Sequence, residues 1–507
     1  MDGDQQVGPA LVVGAGPTGL TAALLLAGLG VPCTVIDRRR GPLALPRAVH
    51  LDGEAVRILQ RLGLAAEFAA ISEPAAGLRL LDARLRPFAV FPRARTAGEH
   101  GHAEANLFDQ PELERLLWAA ADRHPLVTVR GGHELVTVSQ QPGSGTAVAQ
   151  VREIATGAVR RWRARAVLGC DGAGSTVAAA IGAPFRDLRF TERWFVLDVR
   201  CSRPIPTWGG VDQICDPRRA STFLPLPGGR YRWEFRMLPG ETAEALARPA
   251  RIAELTAPWR SGLPAAELEV LRAAAYTFRA RIVDRWRAGR VLLLGDAAHL
   301  SPPFIGQGLG AGLRDAHNLA WKLAAVLNDR PSAESETALL ESYQLERAAH
   351  VEAVVRGAVR VGRAMTGGQD VAAALRRPLA GLLLRLPAVR ERAQRGVAPR
   401  YPAGPLVDRR RHRRDPVGTI CPQPPVRVDG HHVPLDDVLG DGYAVLADGS
   451  LPPALRARAD ELGARIVRLD DAITDEGGVL HAWLRRGRVG AVLLRPDRVV
   501  AASVPQA

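Results

Sequence analysis

Lysine, cysteine and aromatic residues are scarce in this chain of 507 residues. Lys322 is the single lysine, so arginine carries almost all of the positive charge behind the net charge of +14. The five cysteines are scattered and none forms a C-x-x-C pair, which argues against a zinc site, a redox dithiol or a disulfide framework. Aromatic residues make up 5% of the chain, so a large stacked aromatic pocket is not guaranteed. We therefore expect no metal site and a reduced, cytoplasmic setting.

Long apolar runs are also missing. No run reaches the roughly 20 residues that a membrane-spanning helix requires, and the first residues, MDGDQQ, are too acidic and polar for a secretory signal. The densest basic run, Arg409–Arg414, has the charge of a nucleic-acid patch, but the arginine bias of the whole chain favours a solvated inter-domain loop. These features predict a multi-domain protein that spans no membrane and binds no nucleic acid.

A glycine-rich turn follows the first predicted strand, Leu11–Val13, and precedes an apolar helix, Thr18–Leu29. Gly14, Gly16 and Gly19 fit the pattern G-x-G-x-x-G. The first glycine permits the tight turn, the second lets backbone amides approach a pyrophosphate, and the third allows close helix–strand packing. The helix N-terminus favours an anion at the same place. The turn therefore predicts a dinucleotide-binding site.

The second predicted strand, Cys33–Ile36, ends in Asp37. That carboxylate lies about 20 residues beyond the glycines, as expected for a group that binds a ribose hydroxyl. The alternative, a glycine-rich turn without a ligand, does not account for a strand, a helix and an acid at these spacings.

A second signal of the same kind occupies Arg290–Lys322, near the middle of the chain. A hydrophobic strand, Val291–Leu294, leads into Gly295 and Asp296, and a helix opens at about Gly308 after a Pro- and Gly-rich loop. Asp296 could serve simply as a turn or cap residue. In the binding interpretation, the Asp296 carboxylate and the helix N-terminus contact the same bound group. Two such signals far apart in sequence predict one large cofactor held by two separated segments.

Changes of pattern divide the chain into four predicted segments. Alternation at Trp194–Arg200 and Tyr231–Met237 indicates a half-buried sheet. The segments are residues 1–180 (nucleotide-binding, with an excursion near 75–105), 181–285 (the sheet domain), 286–395 (the return and a helical region) and 401–507 (a βαβαββ tail).

Five motifs resemble those of the single-component FAD-dependent aromatic hydroxylases, the para-hydroxybenzoate hydroxylase type. They are GAGPTG, PRAV, Gln110 before LERLL, CDG and GDAAH followed by PPFIGQGLGAGLRDAHNLAWKL, and they cover roughly the first 360 residues. The segments QICDPRR, YRWEFRMLPGE and RPDRVVAA resemble meta-hydroxyphenylpropionate hydroxylases in particular. The resemblance implies an α/β fold with a Rossmann-like FAD-binding domain, an inserted substrate-binding β-sheet domain and a C-terminal thioredoxin-like domain without redox cysteines.

The resemblance also assigns cofactor contacts. It implies FAD contacts at Gly14, Gly16, Pro17, Thr18, Gly19, Asp37, Arg38, Arg47, Gln110, Asp171, Gly295, Asp296, Pro303, Gly306, Gly308, Leu309 and Gly310. Asp37 would bind the adenosine ribose, Arg47 and Gln110 the ADP and ribityl portions, and Asp296 the ribityl or pyrophosphate portion. The amides around Leu309 would face the N1/C2 carbonyl edge of the flavin, where a helix N-terminus stabilises the anionic reduced ring.

The implied reaction is hydroxylation of a phenol. NADPH or NADH reduces the flavin, molecular oxygen adds as a flavin C4a-hydroperoxide, and an electrophilic OH is transferred to the ring. The sequence reveals no catalytic acid or base. The candidates for the substrate pocket are His50, Gln213, Tyr231, Trp233, Arg236 and Pro303. Arg236 suits a substrate carboxylate, but Glu234 and Glu241 are equally suitable partners for it.

The middle motif departs from the family pattern, because Gly174 and Ala178 stand where arginines are frequent. Altered NAD(P)H handling therefore stays open. An FAD-dependent oxidase or reductase that acts on a natural-product intermediate without hydroxylation is the alternative activity. A binding or assembly protein, with a vestigial FAD and a tail that mediates dimerisation, is the third reading, and a homodimer is compatible with all three.

Overall fold

A six-stranded, mainly parallel sheet lies at the centre of the computed structural model, which describes residues 5–140, 143, 145–366, 399–469 and 473–505. Its inner strands are apolar and fully buried, as a parallel sheet with both faces covered requires. In spatial order the strands are Arg287–Ala288, Val291–Leu293, Ala166–Gly169, Ala10–Val13, Cys33–Asp37 and Val127–Gly131.

Helices flank this sheet and begin where the sequence supplies a start signal. Pro17 and Pro111 stand in first turns, where a missing amide hydrogen costs nothing. Asp52 caps the next helix by accepting a hydrogen bond from the Ala55 amide at 2.9 Å. The helices of this part are Pro17–Gly28, Gly53–Arg61, Ala65–Ala70, Gln110–Arg123, Thr176–Ala180, Gly308–Asn328 and Ala333–Thr366.

The helical region after the second cofactor segment is divided in two. Gly308–Asn328 and Ala333–Thr366 are separate helices within the helical region that the sequence predicts. Arg330 adopts a φ of +49° and Pro331 lacks an amide hydrogen, so the backbone turns between them. Residues 367–395, the end of the third predicted segment, lie outside the described residues.

An eight-stranded sheet stands over the carboxyl ends of the parallel strands. One face is packed on an apolar core with the helices Ala243–Leu246 and Pro249–Thr256, and the other faces the first domain. In spatial order its strands are His299–Leu300, Glu269–Val283, Phe185–Arg200, Arg230–Arg236, Ser221–Leu226, Val211–Ile214, Gly77–Leu81 and Pro87–Pro92. The last two come from the predicted excursion near residues 75–105.

Smaller elements complete this part of the chain. A four-stranded sheet contains Gln5–Gln6, Val159–Ala164, Ala147–Glu153 and His133–Gln140, and a three-stranded sheet contains His50–Asp52, Ala105–Phe108 and Ser72–Pro74. Short 3-10 helices span Ala257–Trp259, Ala265–Glu267, Gly295–Ala297 and Pro303–Ile305. None of the described helices is both long and apolar enough to cross a membrane.

The tail contains the six elements that its sequence pattern predicts, in the predicted order. Its main sheet is Arg465–Arg468, Ala444–Ala447, Val489–Leu494 and Val500–Pro505, with helices Pro453–Glu461 and Val479–Gly487. The sequence reading missed the strands Pro425–Val428, His431–Pro434 and Ile473–Thr474 and the helix Leu435–Leu439. Those elements are short and carry no clear periodicity, and the three strands form a small antiparallel sheet of their own.

Candidate active site

A deep cavity of about 1470 Å³ lies between the parallel sheet and the inner face of the eight-stranded sheet. The carboxyl ends of the parallel strands form its floor, which is where ligands bind in open α/β sheets. The loop Pro303–Gly308 forms one wall, and the strands of the large sheet form the opposite wall. Both cofactor segments predicted from the sequence therefore meet at one place.

The glycines of the first turn differ in their surroundings. Gly14 has a φ of +106°, and a Cβ there would lie 2.3 Å from the Cys170 carbonyl oxygen. A Cβ at Gly19 would lie 2.0 Å from the Gly14 carbonyl oxygen, so helix and strand touch as predicted. A Cβ at Gly16 would meet no atom within 4 Å, because this residue faces the open cavity. The turn fits a pyrophosphate lying directly against its backbone.

Polar side chains fix the loop at the adenosine end of the cavity. Asp37 accepts hydrogen bonds from the amides of Ala15 and Arg39, both at 2.8 Å. Gln110 accepts one from the Ala48 amide at 2.6 Å and donates one to Glu114 at 2.9 Å. Asp37 and Gln110 line the cavity and hold its wall at the same time.

Asp296 directs a carboxylate into the cavity. The Asp296 side chain is exposed to the cavity, and no residue that the structure describes hydrogen-bonds to its carboxylate. Desolvation by the surrounding cavity walls raises the pKa of Asp296. The turn around it is held from behind, since Asp315 accepts hydrogen bonds from the Gly295 amide at 3.0 Å and pairs with His299 at 2.6 Å. His299 is 1% exposed and is a structural residue of the turn. A fixed carboxylate with free oxygens suits a hydroxyl-bearing chain such as ribityl.

The glycine-rich loop is tied to both neighbours. Gly306 has a φ of +63°, and its carbonyl oxygen lies 3.2 Å from Nδ1 of His50. Gln213 donates a hydrogen bond to the Phe304 carbonyl at 2.7 Å and so links the loop to the large sheet. No side chain caps the helix that starts at Gly308, and its first amides face the cavity. An electron-rich edge of a ring fits against this helix N-terminus.

The sheet wall presents charged and polar side chains in two rows. Residues directly opposite each other on neighbouring strands share a face. The first row is Gln213, Thr222, Glu234 and Val196, and the second is Leu224, Arg232, Asp198 and Arg272. Arg232 makes a bidentate ion pair with Asp198 at 2.6 and 3.0 Å and donates a hydrogen bond to the Arg47 carbonyl at 2.5 Å. The second row is therefore joined, through Arg232, to the loop that carries Arg47.

Two cavity-facing charges in these rows have few partners. Nη1 of Arg272 is buried, has no hydrogen-bond partner in the described part of the chain, and approaches Asp198 only to 4.0 Å. Its guanidinium stacks over the Tyr276 ring, 4.6 Å from the centroid. The carboxylate of Glu234 lies 3.9 Å from Arg232, and burial raises the pKa of Glu234.

Three of the predicted pocket residues do not line the cavity. Tyr231 and Trp233 point to the opposite face of the sheet, where Trp233 stacks on Phe223 at 4.9 Å between ring centroids. Side chains alternate along a strand, so Arg232 and Glu234 face the cavity instead. Arg236 has the correct parity but lies beyond the cavity, within 3.8 Å of Glu192. These three side chains therefore lie outside the cavity, contrary to the sequence prediction.

The cavity brings together most of the other predicted residues. Its lining includes Gly14, Gly16, Pro17, Thr18, Asp37, Arg38, Arg47, His50, Gln110, Asp171, Gln213, Gly295, Asp296, Pro303, Gly306, Gly308 and Leu309. Gly19 and Gly310 lie behind it as packing positions. Sequence reasoning missed Arg232, Glu234 and Arg272. Arg232 and Glu234 are the polar residues that alternate with aromatic ones in the segment YRWEFR, and this alternation could have identified them.

The middle motif forms the rim near the pyrophosphate turn. Asp171 accepts hydrogen bonds from the Ser175 hydroxyl at 2.6 Å and the Val177 amide at 3.1 Å, so it steadies the start of a short helix. Gly174 lines the cavity and is exposed, whereas Ala178 is 4% exposed inside the core. The packing at Ala178 leaves no space for an arginine.

Two known protein families match this sequence. The model of the FAD binding domain matches residues 8–358, and that of the HcaD C-terminal domain matches residues 418–507. The chain belongs to the FAD binding domain family. This flavoprotein is 34% identical to 3-(3-hydroxy-phenyl)propionate/3-hydroxycinnamic acid hydroxylase 2 from Burkholderia vietnamiensis, over 97% of this chain and 92% of that protein. A hydroxylase of the same description from Shigella sonnei is 32% identical over 98% and 92%.

Solved structures agree with this assignment. The crystal structure of aklavinone-11 hydroxylase with FAD and aklavinone matches with a TM-score of 0.79 at 26% identity, over 100% of this chain and 97% of that chain. These findings confirm the predicted fold class, FAD as the cofactor, and an FAD-dependent monooxygenase that hydroxylates an aromatic compound. NAD(P)H and molecular oxygen are the usual co-substrates of this family.

Proposed function

We propose that this enzyme hydroxylates a phenol that carries a carboxylate side chain. The observation that carries the proposal is the unpartnered Nη1 of Arg272, buried in the cavity wall. A buried N–H donor without an acceptor costs free energy, and a ligand carboxylate would offset that cost by accepting its hydrogen bond. The relatives named for a phenylpropionate and a cinnamic acid support the same substrate class.

Neighbouring arginines are less suited to this role. Arg232 already forms a bidentate pair with Asp198 and donates its remaining Nη to a backbone carbonyl. Arg47 lies in the cofactor loop, outside the sheet wall. Arg272 lines the cavity and stacks on the Tyr276 ring, and its Nη1 donates no hydrogen bond within the described residues. A guanidinium stacked on an aromatic ring is a common arrangement for holding a planar carboxylate.

We propose further that the first turn and the glycine-rich loop hold FAD in the manner implied by the sequence. Gly14 and Gly16 would contact the pyrophosphate, Asp37 the adenosine ribose, and Asp296 the ribityl chain. The helix N-terminus at Gly308 would face the flavin. When bound, FAD would supply the redox chemistry, while the chain would orient the phenol against the loop.

Binding of an acid and its amide tests the carboxylate. Wild-type holoenzyme should bind 3-(3-hydroxyphenyl)propionate at least about tenfold more tightly than the matching primary amide, a difference of about 1.4 kcal/mol. The variant Arg272→Met should lose that preference, because it keeps the length of the side chain but not the charge. Arg200→Met is the control, since Arg200 is an exposed arginine of the same sheet, paired with Glu269. Equal binding of acid and amide to the wild type would contradict the proposal.

A polycyclic phenol is the second candidate substrate. The match to aklavinone-11 hydroxylase over the whole chain favours it, and apolar side chains such as Leu224 and Phe278 line the cavity beside the charged rows. An aklavinone-type phenol without a free carboxylate belongs in the same binding series. Tight binding of that ligand, unaffected by Arg272→Met, would select this class instead.

Three further expectations belong to this proposal. The division into segments ending at residues 180, 285 and 395 is tested by limited proteolysis. A homodimer formed through the tail is tested by light scattering at micromolar concentration. A cytoplasmic location is supported by five free cysteines, two of which, Cys33 and Cys421, have a pKa raised to about 12 by burial.

A further inference from the structure

Glu234 is a carboxylate at the centre of the substrate wall. It occupies the same row as Gln213, which is hydrogen-bonded to the Phe304 carbonyl in the glycine-rich loop. Two strand spacings of about 4.8 Å separate Gln213 from Glu234. The Glu234 carboxylate therefore lies about 10 Å along the sheet from the loop contact and faces the same cavity.

The side chain of Glu234 is free to accept a proton. Within the described residues no hydrogen bond reaches its carboxylate, and its side chain is 12% exposed, toward the cavity. The charged groups that face it are Arg232 on its own strand, Asp198 on the next strand and Arg272 on the strand beyond. Arg232 is 3.9 Å away and bonded to Asp198, so it stabilises the cluster without occupying the Glu234 oxygens.

The surroundings make this carboxylate a stronger base than an exposed one. Burial raises the pKa of Glu234, although the nearby arginines Arg232 and Arg272 oppose the shift. On the other neighbouring strand the residue opposite Glu234 is Thr222, which carries no charge. A raised pKa brings a carboxylate closer to the value that suits proton transfer near neutral pH.

The distance between the two charged positions suits a substrate that touches both. Arg272 lies two strands away from Glu234 and is displaced by two residues along the strand direction. The backbones of the two residues are therefore about 12 Å apart. Both side chains project from the wall into the same cavity, which reduces the gap between their charged ends. A phenol ring with a short acid side chain fits such a gap, with its hydroxyl at one end and its carboxylate at the other.

We infer that Glu234 is the base that accepts the proton of the substrate phenol, an inference that depends on the proposed phenolic-acid substrate. The phenol O–H bond breaks, a new O–H bond forms on Glu234, and the electron pair stays on the phenol oxygen. The phenolate is more electron-rich at its ortho and para carbons, which are the positions that an electrophilic oxygen attacks. Glu234 later releases the proton to water in the open part of the cavity.

The test follows ionisation of the bound phenol through its near-ultraviolet difference absorbance as the pH is varied. A free phenol titrates near pH 10. Wild-type holoenzyme should show ionisation of the bound phenolic acid at least two pH units lower. Glu234→Gln should slow the ionisation of the bound phenol after a rapid rise in pH, because the proton has lost its acceptor, and should slow single-turnover hydroxylation by about 100-fold. Binding of the acid should change less than threefold, because Arg272 is intact.

Two variants complete the design. Glu234→Asp keeps a carboxylate and should restore part of the ionisation, which a purely structural role would not require. Glu269→Gln removes an exposed carboxylate at the end of the same sheet, away from the cavity, and should behave as wild type. If Glu234→Gln does not retain FAD, the comparison of Glu234→Asp with wild type gives the change in the rates of ionisation and hydroxylation.

Unchanged ionisation and hydroxylation in Glu234→Gln would overturn the inference. That result leaves the proposed function intact if the wild type still prefers the acid over the amide. If the wild type binds the acid and the amide equally, the proposed function is contradicted instead, because that measurement is made with Glu234 unaltered. The two failures are therefore separable.

Discussion

Three glycines in one turn have three different reasons to be glycine. Gly14 needs its positive φ, Gly19 needs contact between helix and strand, and Gly16 faces the open cavity. The motif G-x-G-x-x-G states where glycine stands, but only the distances to neighbouring atoms separate a folding role from a binding role. The sequence motif predicts the positions of the three glycines, and the structure shows the separate reason for each.

Paired substitutions should separate these roles. Gly16→Val should weaken FAD binding by about 100-fold, or about 2.7 kcal/mol, because its side chain enters the cavity from an extended backbone (φ −79°, ψ 178°). The unfolding temperature of its apoprotein should stay within about 2 °C of wild type. Gly19→Ala should instead lower the free energy of unfolding by about 2–3 kcal/mol through overpacking. Fluorescence titration with FAD and thermal unfolding of the apoproteins measure both effects, and a destabilised Gly16→Val apoprotein would contradict this assignment.

At the scale of elements, the two long helices hold the cofactor loop from behind. Arg347 on Ala333–Thr366 donates to Asp315 on Gly308–Asn328 at 2.8 Å, with both side chains fully buried. Burial alone would raise the pKa of Asp315, but His299 and Arg347 keep it below its ordinary value. The ionised Asp315 accepts the Gly295 amide and thereby sets the turn that carries Asp296. The orientation of a cavity carboxylate thus depends on a helix pair outside the cavity.

The matched variants Arg347→Met and Arg356→Met test this dependence on one helix. Arg347→Met leaves a buried carboxylate unpaired and should cost about 3–5 kcal/mol of unfolding free energy, with faster loss of FAD. Arg356 forms an exposed i,i+4 pair with Glu352, so Arg356→Met should cost at most about 0.5 kcal/mol. Denaturant unfolding and the FAD dissociation rate are the measurements. Equal costs for the two variants would show that the buried pair does not hold the turn.

At the scale of the whole molecule, the tail is joined to the FAD-binding domain by buried charges. Arg57 makes two hydrogen bonds of 2.7 Å to Asp436, and Arg495 makes a bidentate pair with Glu346 at 2.7 and 2.9 Å. Burial lowers the pKa of Lys322, which also contacts Glu346, to about 8. Removing the tail would take Asp436 from the buried Arg57 and would leave Glu346 with Lys322 as its cationic partner, so the tail is part of the stable structure despite its lack of redox cysteines.

Buried neutral histidines make the fold sensitive to mild acid. Burial lowers the pKa of His317 from its ordinary value of 6.5 to about 3, and that of His350 well below 6.5. The unfolded chain therefore binds protons first, so stability falls as the pH drops below about 6.5 and continues to fall toward pH 3. Each such histidine contributes about 1.4 kcal/mol per pH unit. Thermal unfolding of the apoprotein at pH 7.5, 6.5 and 5.5 should show this loss.

The variant His317→Gln should reduce the slope of that loss by up to one proton, because glutamine does not titrate. His431→Gln, at an exposed position of the tail, is the control and should leave the slope unchanged. An identical slope in wild type and His317→Gln would show that this histidine is not responsible. Carboxylates with low pKa values titrate below about pH 4, so they do not contribute in this range.

The local sequence by itself determined both cofactor segments, the parallel strands and the order of elements in the tail. Glycine spacing, apolar runs and strand-ending carboxylates act through neighbouring residues, so their consequences are visible in the chain. The meeting of Asp37 and Asp296 in one cavity follows from the rule that parallel strands end at a common edge.

Only the tertiary structure decided which face of each substrate strand meets the cavity. The alternation in the segment YRWEFR does not by itself determine which set of side chains faces the cavity. The packing of Trp233 against Phe223 on the other face directs Arg232 and Glu234 toward the cavity. Arg272 comes from a strand about 40 residues further along, and its lack of an acceptor depends on where Asp198 and Tyr276 lie. The unpartnered Nη1 of Arg272 results from burial and from the pairing of distant strands, which the residues beside Arg272 in the sequence do not specify.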